Sequence, residues 1–128
     1  MAAPAPVASP QIAGAGGGAV IVCTPKVPYP HSSGHTKGAP VNLKVTINCT
    51  ANVTAIDIQA KLYRGGGLVK SSAVQYFISA PIAAAATASV PFSPGLYQGW
   101  GYFAVTFPPG FTPPFEETSG FGMPNRVP

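Results

Sequence analysis

Side chains able to do acid–base, nucleophilic or metal chemistry are few in this chain. The carboxylates are Asp57, Glu116 and Glu117, and the histidines are His31 and His35. The two imidazoles stand in "HSSGH", inside a segment broken by Pro28, Pro30, Gly34 and Gly38. A zinc site needs three or four ligands, and the other candidates, Cys23 and Cys49, are better used on each other. Asp57 falls on the outward positions of an alternating strand. Glu116 and Glu117 are adjacent in a Pro-rich stretch, a poor frame for paired acid and base work. A hydrolase triad would need a base with an orienting carboxylate, and none is available inward. "RGGG" is not a phosphate loop, because it turns between two strands and no Lys-Ser/Thr or helix follows it. The expectation is a protein that is not an enzyme and uses no metal or cofactor.

The composition sets the frame for that reading. A chain of 128 residues is one domain by length. Charged residues make up 8%, about a third of the usual share, beside 15 glycines and 16 prolines. Such a chain argues for short strands and frequent turns rather than helices. Seven basic residues against three acidic ones give a net charge of +4. The basic residues are scattered from Lys26 to Arg126 rather than clustered among aromatics, so a nucleic-acid surface is not expected. No apolar run approaches the ~20 residues that span a membrane. The start, Met1-Ala2-Ala3-Pro4-Ala5-Pro6-Val7-Ala8, has the look of a mature secreted terminus behind an added methionine. Secretion and a Cys23–Cys49 disulfide would go together, since paired cysteines mark an oxidising compartment.

Residues 1–18 are rich in Pro, Ala and Gly without periodicity and read as a flexible arm. Within it, the isolated Gln11 and Ile12 could anchor a partner. Clean alternation begins afterwards. In "VNLKVTINCT", Leu43, Val45, Ile47 and Cys49 share one face, and in the next run Ile56, Ile58, Ala60 and Leu62 do the same. Gly65-Gly66-Gly67 then supplies a tight reversal, and a strand returns from Leu68 to Ile78. "AVIVCT", "TASVPF" and "GWGYFAVTF" add shorter strands, with Pro91 marking an edge or a strand end. The expected fold is all-β: an antiparallel immunoglobulin-like sandwich of about six to seven short strands over residues 19–107. A Pro/Gly-rich arm over 108–128 would follow it. Cys23 and Cys49 both point inward, and a bond between them would close the long loop separating them.

The aromatic run "YQGWGYFAVTF" holds the only tryptophan of the chain. If Phe103, Val105 and Phe107 fill the core, Trp100 and Tyr102 stand outside, with Gly99 and Gly101 leaving open backbone beside them. Tyr97, Trp100 and Tyr102 are therefore candidate contact residues, since aromatics on a rigid strand make interface anchors. The competing reading has the Pro-rich tail from Pro108 folding back over Trp100 and Tyr102.

"LYRGGGLV" followed by "LYQGWGYFAVTFPPGFTPP" resembles a group of small secreted proteins of high-GC filamentous bacteria. Among them, the chain looks most like the small adapter subunits of umbrella toxin particles, which link a lectin subunit to the stalk of a large antibacterial toxin. The likeness covers roughly residues 19–115. It implies a secreted adapter with protein partners, in which residues 1–18 seek the lectin and the sandwich holds the stalk. The alternative from residue chemistry is a stand-alone module or small effector that binds cell-wall glycan, through aromatics that stack on sugars and a positive charge that favours anionic polymers.

Overall fold

The alternating run expected around Val45 is a strand in the computed structural model, which describes residues 11–32 and 38–128. Its inward positions Val41, Leu43, Val45, Ile47 and Cys49 are buried, whereas Lys44 and Asn48 are exposed. In chain order the strands are β1 (Ile12–Gly16), β2 (Ala19–Lys26), β3 (His31–Ser32), β4 (Val41–Cys49), β5 (Ala55–Arg64) and β6 (Gly67–Ser71). They continue as β7 (Gln75–Phe77), β8 (Ala83–Val90), β9 (Gly95–Thr106), β10 (Phe115–Phe121) and β11 (Asn125–Val127). No helix occurs among the described residues, so none is long and apolar enough to cross a membrane.

All pairings are antiparallel, and they form two sheets. In the first, β4 is central: β8 runs along one edge, β2 and the short β3 share the other, and β1 lies outside β2. In the second, β5 pairs over its whole length with Tyr97–Thr106 of β9. There β10 and β11 line the far edge of β9, while β6 and β7 line the far edge of β5. The sheets face each other across one core. Leu43, Val45 and Ile47 from the first meet Ile56, Ile58, Leu62, Tyr97, Phe103 and Val105 from the second. Each such side chain contributes roughly 1.5–3 kcal/mol by leaving water. The small residues Ala84, Ala86 and Ala88 let β8 close down on β5.

Both glycine runs make the same turn. Gly17 and Gly18 have φ of 59° and 79°, and Gly65 and Gly66 have φ of 58° and 84°. Two consecutive positive-φ residues are what a two-residue type I′ hairpin requires. The reversal at Gly65–Gly67 is as expected. Its return strand is divided into β6 and β7, because Ser72 breaks the ladder: its hydroxyl accepts from Ala60 N–H at 3.0 Å, and its own N–H reaches Ala60 C=O at 2.8 Å.

The expected boundaries differ at both ends. β1 pairs with β2 from Ile12↔Cys23 to Gly16↔Ala19, so the described part of the amino-terminal segment belongs to the body. Residues 115–121 and 125–127 are likewise paired strands rather than an arm. These additions, β3 and the split return strand raise the count above six to seven. Residues 1–10 of the expected arm and His35 lie outside the described residues.

Candidate partner-binding face

The outer surface of the second sheet collects the aromatic side chains, and strand register decides which of them meet. Residues directly opposite on antiparallel strands point to the same side. Lys61, Trp100 and Phe121 therefore form one row across β5, β9 and β10. Gln59, Tyr102 and Ser119 form the next, followed by Asp57, Ala104 and Glu117. Tyr63 stands beside Lys61 on the same face and is opposite Gln98.

These side chains brace one another. The Lys61 ammonium lies 4.7 Å from the centroid of the Trp100 ring, within the range of a cation–π contact. Tyr63 meets Phe121 edge to face, with centroids 5.2 Å apart. Beneath this pair Gln98 is buried, and its Nε2 donates to Gly122 C=O at 2.9 Å. The Tyr102 hydroxyl donates to Glu117 Oε2 at 2.7 Å. Burial first, then the bond to Glu117 and the charges of Glu117 and Asp57, push the Tyr102 phenol up to about 12. Gln59 Nε2 donates to Ser72 C=O at 2.9 Å, which fixes the edge strands to the same surface.

Trp100 and Tyr102 are thus on the outer side and partly buried. The tail does not lie over them; as β10 it lies beside them, with Phe121 and Ser119 at their flanks. The flanking glycines are not open sockets. A Cβ on Gly99 would sit 2.5 Å from Leu43 Cδ1, and one on Gly101 would sit 2.7 Å from the Phe103 ring. They are inward positions, and their bareness admits Leu43 and Phe103 against the backbone.

Three expected contact residues have other surroundings. Tyr97 is fully buried and donates its hydroxyl to Ser93 C=O at 2.8 Å. Its place is structural because a buried phenol offers nothing to a partner. Ile12 is 2% exposed and belongs to the core, since the β1–β2 pairing turns it inward opposite Cys23. Gln11 is exposed and donates to Thr24 Oγ1 at 3.3 Å.

Cys23 and Cys49 are disulfide-bonded. They are opposed on β2 and β4, so the bond lies within one sheet and closes the loop that carries β3. The acidic residues are ordered rather than tail-borne: Glu116 and Glu117 alternate on β10, and Glu117 shares the outer face with Asp57. Among the described residues no three of His, Cys, Asp or Glu gather where a metal could be held. An open groove of about 510 Å³ lies on the other sheet, lined by Thr24, Lys26, Val27, Lys44 and Thr46 with Pro25 and Pro28.

The residues missed from the sequence are Lys61, Tyr63, Phe121 and Glu117. The alternation of β5 already set Lys61 and Tyr63 outward; only the register with β9 puts them on Trp100 and Gln98. No protein-family model, no curated protein and no solved structure matches this chain.

Proposed function

We propose that this protein is a secreted, non-catalytic adapter that joins other subunits of an extracellular complex, and that the outer face of the second sheet is one of its contact surfaces. The observation that carries this reading is the row Lys61–Trp100–Phe121, flanked by Tyr63 and Tyr102. Anchors held by strand neighbours have already lost the side-chain freedom that binding would otherwise remove. Aromatic residues with a polar handle on a rigid strand are what binding hot spots are made of. The intact disulfide supports an oxidising compartment.

The strand order also supports an immunoglobulin-like arrangement. The chain crosses between sheets after β4, β7 and β8, and Tyr97 pins the last crossing. It departs from antibody domains in its disulfide, which stays within one sheet, and in its outward tryptophan. In the toxin-adapter reading, β1 belongs to the stalk-binding body, so the lectin-seeking segment shortens to residues 1–11.

The test replaces Trp100 and Tyr102 together with Ser. The variant should keep its circular dichroism, and the partner recovered from native culture supernatant by the unaltered chain should bind it at least ~30-fold more weakly, on the ~2 kcal/mol scale of an interface anchor. Undiminished binding would move the contact surface elsewhere. The glycan-binding alternative draws on the same flat aromatic face, and it predicts that the chain alone sediments with purified cell wall.

A further inference from the structure

The two sides of the sandwich are finished differently. On one side β1 is closed onto the segment that joins β9 to β10: Ala15 N–H donates to Thr112 C=O at 3.1 Å, and Thr112 N–H returns to Ala15 C=O at 2.8 Å. On the other side, among the described residues, β8 pairs only with β4, and the adjacent β6 and β7 pair only with β5. Exposed strand edges are templates for pairing, and proteins usually blunt them with charge, proline, a bulge or brevity. β8 has eight residues, "AAAATASV", with no charge and no proline, in unbroken register with β4. Among the described residues, six of the eleven large exposed apolar side chains are on this side: Leu68, Val69, Val74, Tyr76, Ile78 and Ile82.

The hydrogen-bond phase shows what that edge offers. Cys49 N–H donates to Ile82 C=O at 2.8 Å, so Ile82 is in the bonded set facing β4. Bonded and non-bonded pairs alternate in an antiparallel ladder. Ala84, Ala86, Ala88 and Val90 therefore face β4 with their backbone groups, while Ala83, Ala85, Thr87 and Ser89 direct theirs to the free edge. The next positions of the same phase are Pro81 and Pro91, which have no N–H to give, and the Pro81 C=O already accepts from Val53 N–H at 2.9 Å. The open segment is thus bounded by two prolines and centred on Ala86.

We propose that a second copy of this chain docks here, β8 against β8, antiparallel about a two-fold axis at Ala86. That register places Ala85 opposite the partner's Thr87 and Ala83 opposite the partner's Ser89. It satisfies every free group with about eight hydrogen bonds, two for each bonded pair. Pro81 falls opposite the partner's Pro91, so the missing donors face each other beyond the ladder. The inward positions meet as alanines, and Ile82 meets the partner's Val90, removing exposed apolar surface at both ends. No like charges oppose each other. An edge that is symmetric about its own centre fits itself better than it fits an arbitrary strand.

Sedimentation equilibrium of the full chain tests this, between roughly 5 and 500 µM, a range suited to micromolar association. The unaltered chain should dimerise reversibly. Ala85→Glu with Thr87→Glu, and separately Ala85→Lys with Thr87→Lys, place like charges directly opposite twice and should weaken the dimer at least about tenfold. An equimolar mixture of the two double variants should restore it, because residue 85 of each copy then faces an opposite charge. Thr87→Pro, which removes a free-edge donor and no bond to β4, should weaken the dimer while the circular dichroism stays unchanged. A chain that stays monomeric across the range would overturn the proposal, as would double variants that dimerise like the unaltered chain or a mixture that does not recover.

Discussion

Lys61 and Trp100 are opposite one another on β5 and β9, and the ammonium rests 4.7 Å from the centre of the indole. The contact holds the only tryptophan of the chain in one orientation on the outer face. Replacing Lys61 with Ala should destabilise the fold by only about 0.5–1 kcal/mol, the size of an exposed cation–π contact. Chemical denaturation measures that loss, and Trp100 fluorescence should become more accessible to iodide. A loss several times larger would mean that Lys61 does more than cover the ring.

Tyr97 should behave as a structural residue. Tyr97→Phe removes the bond to the half-buried Ser93 C=O, which water can then reach, at a cost of about 0.5–1.5 kcal/mol. Tyr97→Ala also opens a cavity and should cost about 3–5 kcal/mol. Equilibrium unfolding measures both. The folded Tyr97→Phe fraction should keep the partner affinity of the unaltered chain.

The Cys23–Cys49 bond spans a sequence separation of 26. Loop-closure entropy for that span is worth about 3–4 kcal/mol. The double Cys→Ala variant should unfold at a correspondingly lower denaturant midpoint. Thiol titration of the unfolded, non-reduced native protein should find no free sulfhydryl.

The Tyr102 phenol is pushed up to about 12, chiefly by burial and then by its bond to Glu117. Its pKa is raised on folding, so its stabilising contribution is complete below pH 10 and is lost as pH rises towards 12. The difference in absorbance at alkaline pH between the unaltered chain and Tyr102→Phe should show a phenol that ionises above the ordinary range. Glu117→Gln removes the nearby charge and should bring that ionisation down. A midpoint unchanged by Glu117→Gln would leave burial and the charge of Asp57 as the causes.

The alternation of β4 and β5 was fully legible, because burying one face imposes a period of two on the side chains of a half-buried strand. The Gly65–Gly67 hairpin and the cysteine pair were legible for equally local reasons. The inward place of Tyr97 was also there to be read, since it shares odd positions with Phe103, Val105 and Phe107. β1 was not legible: "IAGAG" alternates Ala with Gly and has almost no hydrophobic contrast. Nor was β10, where Phe115 and Phe121 bracket five residues without a large apolar side chain.

Sequence by itself therefore determined which residues of β4 and β5 turn inward, where the chain reverses between β5 and β6, and that the class is all-β. The tertiary structure decided which strand lies beside which, and so set Lys61 and Phe121 on either side of Trp100, bonded Tyr102 to Glu117 and left β8 as an open edge. The reason is physical: backbone hydrogen bonds are the same at every register, so one strand's residues do not name its neighbour. That choice is made by the packing of all the inward faces at once.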